Sequence, residues 1–514
     1  MADARDYVRA RAAAANGEVA AAAVGYGAVL AQAPDDAVVA IRAYRNALAA
    51  GDMALARQAA AILVRADAAP ADVALLQLAD AVRTKDRAGA DDALGRIGPG
   101  PLDFLAPVLR AWVTLDRGGD PLPLLDSAAP NPLGRHYVAE HRALLLIAMG
   151  RIDEGVAALR LAVAAEPGSI DLRWNAANLL AGKGKKGIAL AVLAGDDPVM
   201  TGLRARLGRG VKPGAAFGIG RAFTRLASDL SGERTYPLSI LLTRAALSLD
   251  PRDDRARLLL AEALVGDEAF AQARETLDAV PKGSPFYDAA LGERVELRRT
   301  RGDVEGAIAL AASLADARDA RDIDVQRYAD LLANEGREAE AARVYARLVE
   351  RADGKAGWSL LLQLGGALER SGRWDAALPH LRRAVELAPE QPLALNYLGY
   401  ALVERGESLD EATALLERAR SLRPDSAAIT DSLGWAYFMQ RDYAKALPLL
   451  EKAAEAEPAS ANINEHLGDV YWAMGRRYEA RYAWRAAAIY ADGGQKARIT
   501  AKMLDGPVQR TAAN

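Results

Sequence analysis

The 514-residue chain contains no cysteine. That removes disulfides, thiolate metal sites and a cysteine nucleophile, and also an N-terminal lipidated cysteine in the chain as it stands. Histidine is scarce, at four residues, so imidazole chemistry has few possible members. Aromatics make up 6% of the sequence against 51% hydrophobic residues overall. No single sign of charge dominates, because 65 Lys and Arg face 68 Asp and Glu, and the balance excludes the field of a dedicated nucleic-acid binder. The longest apolar stretch, 19–33, is short for a membrane span and rich in Ala and Gly. The opening "MADARDYVRARAAAANGE" lacks the basic-then-apolar order of a secretory leader.

What remains is rich in Ala and Leu, punctuated by Gly and free of alternating Val/Ile/Thr runs. Alanine has the best helix propensity, so the composition predicts an all-α chain. The chain also repeats itself. The segments 360–390, 394–425, 428–459 and 462–492 align so that Gly365, Gly399, Gly434 and Gly468 share one column. A small residue follows at Ala377, Ala412, Ala446 and Ala480, then a large one at Leu381, Leu416, Leu450 and Trp484. A second small column holds Ala384, Ala419, Ala453 and Ala487, and Pro389, Pro424 and Pro458 close three of the four copies. Small columns let two antiparallel helices approach closely, large columns fill the seam, and proline ends the second helix.

This pattern resembles the tetratricopeptide repeat, a helix–turn–helix unit of 34 residues. The resemblance implies an α-solenoid, a right-handed superhelix of about 11–14 repeats. Weaker copies extend upstream through 3–36, 40–66, 139–169, 223–251, 257–281, 294–314 and 326–348, while 71–98, 102–130 and 170–197 read as degenerate units. The Gly- and Pro-rich stretch 195–220 reads as a hinge. The expected organisation is therefore an N-terminal array over 1–194, the hinge at 195–220, a C-terminal array over 221–492, and a capping helix with a polar tail over 493–514.

Several short motifs invite chemistry and are better read as scaffold. "EHLGDVYWAMGRR" at 465–477 holds Glu465, His466 and Asp469 within one turn, yet Leu467-Gly468 occupies the repeat's structural columns and His466 a variable one. "GKGKKG" at 182–187 spells a dinucleotide motif but follows a helical pattern rather than a strand. His136 and His141 are five apart, the wrong phase for two ligands on one helix face. Arg476, Arg477, Arg481 and Arg485, interleaved with aromatics, read as a solvated outer face. No catalytic, metal or cofactor residue emerges.

One constellation points to binding. In the repeat family the first helix lines a concave groove through the residue after the Gly column, the one three further on, and the one three before. Those positions hold Asn396 and Tyr400, then Asp431, Trp435 and Phe438, then Glu465, Asp469 and Trp472, with Glu404 beside them. Tyr437, Tyr471 and Trp484 belong to core columns. Exposed aromatics in a groove are typical anchors, and the acids favour Lys or Arg on the ligand. The alternative is that these aromatics pack on each other or on the capping helix. The Lys/Asn clamp of one peptide-binding subtype is absent from these columns.

The expected function is a non-enzymatic scaffold or adaptor that binds a partner's peptide segment, with no nucleic acid and no membrane-spanning helix. The run over 360–492 resembles bacterial envelope-associated repeat proteins, both adaptors for a carboxyl-terminal processing protease and accessories of pilus assembly or secretion. This implies a periplasmic or envelope location if the chain is a mature form, and a cytoplasmic regulatory scaffold otherwise. An enzymatic site in 170–220 is the remote alternative.

Overall fold

A computed structural model of the chain describes residues 4–126, 134–195, 198–318 and 320–506. Those residues contain α-helices, one 3-10 turn at Asp103–Leu105, and no strand. They form two compact units that divide between Ala307 and Ile308. The expected polar tail, from 507 on, lies outside the described residues.

In the first unit the hairpins are α1 (Ala4–Ala15) with α2 (Val19–Gln32), α3 (Ala37–Ala50) with α4 (Met53–Arg65), and α5 (Val73–Thr84) with α6 (Arg87–Ile97). Next come α7 (Ala106–Asp116) with α8 (Leu122–Asp126), α9 (Arg135–Met149) with α10 (Ile152–Ala165), and α11 (Ile170–Gly182) with α12 (Lys186–Val192). The stretches that spell the repeat poorly are thus hairpins all the same, and the second helix of one, α12, is shortened to Lys186–Val192. After the lone α13 (Pro198–Arg206) follow α14 (Ala215–Asp229) with α15 (Tyr236–Leu249), α16 (Asp254–Gly266) with α17 (Phe270–Asp278), and α18 (Tyr287–Thr300). Helix α19 (Val304–Ala315) runs across the division.

The second unit continues with α20 (Asp322–Asn334) and α21 (Glu338–Arg351), then α22 (Trp358–Arg370) and α23 (Trp374–Leu387). Helices α24 (Pro392–Arg405) and α25 (Leu409–Leu422) precede α26 (Ala427–Met439) and α27 (Tyr443–Ala456). Helices α28 (Ala461–Ala473) and α29 (Arg477–Tyr490) complete the array, and α30 (Gly493–Asp505) follows.

The columns read from the sequence form the seams of the second unit. Ala377, Ala412, Ala446 and Ala480 are fully buried, as are Leu381, Leu416, Leu450 and Trp484. The Gly column explains why. A Cβ at Gly399 would sit 2.7 Å from Leu416 Cγ, and one at Gly468 would sit 2.3 Å from Trp484 Cδ1. Ser426, Asp442 and Ser460 cap α26, α27 and α28 by accepting from Ile429, Lys445 and Ile463 amides, satisfying donors that a helix start leaves orphaned. The turn between paired helices demands a left-handed residue. Gly406 and Gly475 supply it at φ 67° and 80°, while Arg441 carries it between α26 and α27 at φ 64°.

The first unit is built differently. Helix α15 packs against α3 and α5, and α14 against α5, α7 and α9, so one later hairpin lies across the first helices of the early ones. Trp112 on α7 is fully buried, with its indole donating to His141 Nδ1 at 2.9 Å. Burial pushes the His141 pKa down to about 3, and the lone pair on Nδ1 is used by Trp112. Arg244 on α15 donates to the Leu48 and Ala49 carbonyls at 3.0 Å each, satisfying the C-terminal end of α3. Desolvation pulls the pKa of Arg244 down to about 10. Arg225 on α14 meets Glu140, Glu166 and Asp229.

The described residues of the expected hinge, 195–220, fall inside the first unit, and the division by contact lies between Ala307 and Ile308. Two of the glycines that suggested flexibility, Gly210 and Gly218, serve close contact. Val211 N donates to Asn178 O at 3.1 Å, and a Cβ at Gly210 would meet Asn178 O at 2.2 Å. A Cβ at Gly218 would lie 1.8 Å from Trp112 Cδ2. Helices α14 to α18 therefore belong with the array over 1–194 rather than with the one ending at 492.

The Gly column yields a graded prediction. Gly468→Ala drives a methyl into the rigid indole of Trp484 and should cost about 2 kcal/mol of stability, net of alanine's better helix propensity. Gly399→Ala meets Leu416 Cγ at 2.7 Å and the Ala412 carbonyl at 3.1 Å; an aliphatic side chain yields more readily than an indole, so it should cost less, about 1 kcal/mol. Thermal unfolding followed by circular dichroism compares them, and equal melting temperatures for the two variants would contradict the column geometry.

Candidate functional site

The candidate residues lie on consecutive first helices of the second unit. On α26, Asp431, Trp435 and Phe438 are four and three residues apart and so share a face. Tyr400 and Glu404 are placed likewise on α24, and Glu465, Asp469 and Trp472 on α28. The structure sorts them into two groups.

The first group is a platform of rings. The indole of Trp435 stacks on the imidazole of His466 at 4.1 Å and 13°, and on the Phe438 ring at 4.6 Å and 15°. Phe438 in turn meets Tyr443 at 5.6 Å. Trp435 Nε1 donates to Glu404 Oε1 at 2.7 Å, so the indole is fixed at its face by α28 and at its edge by α24. Trp435, Phe438 and Tyr400 remain half-buried, and Glu404 is exposed. Desolvation, reinforced by Glu404 and Asp431, pushes the Tyr400 hydroxyl pKa well up, so it stays a neutral donor. Beside it Asn396 leaves its buried Oδ1 without a hydrogen-bond partner.

Beneath the platform lies His466. Its Nδ1 donates to Asp431 Oδ1 at 3.0 Å, because a carboxylate can only accept. Burial opposes the imidazolium, but Asp431 outweighs it, and the pKa is raised above the ordinary value. The residue taken from the sequence as an occupant of a variable column is thus the support that sets the Trp435 ring. The available signal was its position one column before Leu467-Gly468, which in stacked repeats faces the preceding helix.

The second group is already engaged by the chain itself. Glu465 is buried and receives Arg498 Nε at 3.0 Å, Arg498 Nη2 at 2.9 Å and Lys502 Nζ at 2.7 Å, all from α30. Asp469 receives Lys502 Nζ at 2.6 Å and the Trp484 indole at 3.0 Å. Trp472 packs with Trp484 at 5.3 Å and joins the small core around Ile499 of α30. Arg477 lies over its other face, 3.7 Å from the ring centre. Of the aromatics, Trp472 thus packs on the closing helix and Trp435 and Phe438 pack on each other, as the alternative has it, and Glu465 and Asp469 are engaged by the closing helix as well. Asp431 is held by His466, so of the four acids only Glu404 presents a carboxylate outward.

These features define a class: an array of helical hairpins offering a preformed aromatic surface on its first helices, a scaffold for protein–protein contact. Two tetratricopeptide repeat models match, one over residues 362–427 and 432–496 and the other over 240–291, and these segments carry tetratricopeptide repeats. It is 41% identical over 66 residues to the TPR repeat-containing protein PA4667 of Pseudomonas aeruginosa, a match spanning 13% of this chain and 11% of that relative. Solved structures similar to it include a tetratricopeptide repeat protein from Parabacteroides merdae, at 17% identity and TM-score 0.40, covering 49% of this chain and 97% of that one. Another is YrrB, described as a TPR protein with an unusual peptide-binding site, at 24% identity and TM-score 0.29, covering 38% and 95%. Among the described residues no helix is long and apolar enough to cross a membrane.

The contact between α28 and α30 predicts a pH signature. Burial works against the ionised form of Glu465, but the Arg498 and Lys502 hydrogen bonds win and hold its pKa at about 2, below the ordinary 4.5. A depressed folded pKa means stabilisation that is present above about pH 4.5 and lost as pH falls toward 2. Glu465→Gln should loosen α30 by on the order of 2 kcal/mol, less than for a wholly buried pair because Arg498 is 58% exposed. At pH 7 hydrogen exchange of the α30 amides should then quicken by roughly thirty-fold. Trp472 fluorescence should show an acid step in the wild type that is missing in the variant. Unchanged exchange in α30 would contradict the role given to Glu465.

Proposed function

We propose that the second unit binds an extended or helical segment of a partner protein across the inner faces of α24, α26 and α28. The observation that carries this reading is the Trp435 platform. A half-buried indole clamped flat between His466 and Glu404 loses little rotamer freedom when a ligand covers it, so the desolvation it provides is retained as affinity. Phe438 extends the apolar surface. Glu404 gives a preference for a single Lys or Arg beside the ligand's apolar anchor. The role is that of an adaptor rather than an enzyme.

We propose further that this adaptor serves a bacterial envelope machine, either a processing protease or a pilus or secretion assembly. The support is the resemblance of 360–492 to envelope-associated repeat proteins. Fractionation of the native cells with an antibody to the chain decides the compartment, and recovery in the cytoplasm alone would replace this with the regulatory-scaffold reading.

The binding proposal is tested by selecting peptides from a displayed 15-residue library on the immobilised full chain. The selected peptides should pair aromatic or aliphatic anchors with Lys or Arg. Trp435→Ala should weaken them by about 2 kcal/mol or more per folded molecule. Glu404→Lys removes both the outward carboxylate and the acceptor of the Trp435 indole, so it should slow association and lower affinity per folded molecule. Peptides that bind equally well to both variants would remove the platform from the function.

A further inference from the structure

The outer face of α29 departs from its counterparts, and the repeat itself provides the control. Two residues before the buried Ala column stand Asp375, Asp410, Ala444 and Tyr478. Two residues after it stand Pro379, Ala414, Pro448 and Tyr482. Five after it come Arg382, Glu417, Glu451 and Arg485, and nine after it Glu386, Ser421, Glu455 and Ile489. Every one of these positions is exposed, so none of them packs the fold. Three copies of the repeat fill this face with short or charged residues, mostly acidic, as a solvated helix requires. The fourth copy fills it with two tyrosines, an arginine and an isoleucine.

The exposure is large. Tyr478, Tyr482 and Ile489 are 73%, 58% and 69% exposed, with Tyr490 at 54% beside them. The two tyrosine rings lie 5.2 Å apart, and Arg485 sits 5.7 Å over Tyr482. Arg481 donates to the Met503 carbonyl at 3.1 Å. Among the described residues neither Arg481 nor Arg485 meets a carboxylate, and the one acid in the helix, Glu479, is taken by Arg476. Arg382, at the column of Arg485, pairs with Glu411 at 2.7 Å instead. The arginine of this column on α23 is thus paired, and the one on α29 is not.

Tyrosine and arginine are the residues most enriched at protein contacts, where a rigid ring provides area and a guanidinium pairs with carboxylate. We propose that the outer face of α29, around Tyr478, Tyr482, Arg485 and Ile489, is a second docking surface that receives an acidic segment of a partner protein bearing Asp or Glu beside aliphatic side chains. Charge complementarity selects this occupant. A second copy of the same face would set arginine against arginine. The surface is separate from the Trp435 platform, so the two can be engaged independently and the chain can bridge two partners.

The test uses the full chain and a fluorescein-labelled 15-residue peptide carrying six Glu or Asp and three Leu, read by fluorescence anisotropy. Binding should weaken as salt rises from about 50 to 300 mM. Tyr478→Asp combined with Tyr482→Ala installs what α25 carries at those positions, and Arg485→Glu installs what α27 carries, so the fold has precedent for both. Each should weaken the peptide at least tenfold with the melting temperature unchanged, while Trp435→Ala should leave it alone. Equal binding of a peptide with Gln in place of every acid would overturn the proposal, as would indifference to both sets of substitutions. If phosphatidylglycerol vesicles bind in a variant-sensitive way and the peptide does not, the surface is a membrane contact instead. If ultracentrifugation shows a dimer that the same substitutions dissociate, it is a self-contact, and the proposal fails.

Discussion

The close approach of two antiparallel helices at a seam of glycine and alanine is the constraint on which the second unit rests. Where Gly399 faces Leu416 and Gly468 faces Trp484, no Cβ fits, so each seam accepts one partner geometry and one register. That fixes which face of each first helix is left over. On α24, α26 and α28 the leftover faces stand next to one another, which is why residues 31 and 35 positions apart in sequence, Glu404 with Trp435 and Asp431 with His466, become hydrogen-bond partners. The Trp435 platform is a by-product of the seam.

The two units use the same helices to different ends. In the first, α14 and α15 lie against α3, α5, α7 and α9, the helices that the repeat family turns toward ligands. Their contact is sealed by Gly218 against Trp112 and by Arg244 on the end of α3. In the second, α30 closes only the last copy, through Glu465 and Asp469, and leaves the Trp435 platform at the surface. Covering a face with the chain's own helix is a route to stability, and leaving it uncovered is a route to a partner.

The helical hairpins were legible in the sequence wherever a seam repeats with period 34, because Gly, Ala and Leu columns are local consequences of one geometry. Even the poorly spelled stretches followed it, α12 being a shortened version of the same element. What the sequence did not reveal was non-periodic. The glycines of 195–220 read as a hinge because composition cannot distinguish a glycine that bends freely from one that admits a neighbour's backbone, as Gly210 admits Asn178. Glu465 and Asp469 read as ligand-facing because their partners, Arg498 and Lys502, come from a helix outside the repeat. His466 was dismissed as filler because its meaning depends on Trp435 one repeat earlier.

The central claim, that the first unit covers its ligand-type faces and the second leaves one available, can be tested by oxidising the seven tryptophans of the native chain and ranking their loss by mass spectrometry. Trp112 and Trp484 are fully buried and should stay intact throughout, while Trp435 should react first among these three. Oxidation of Trp112 as fast as that of Trp435 would show that α14 and α15 do not cover the first unit's face, and the account would be wrong.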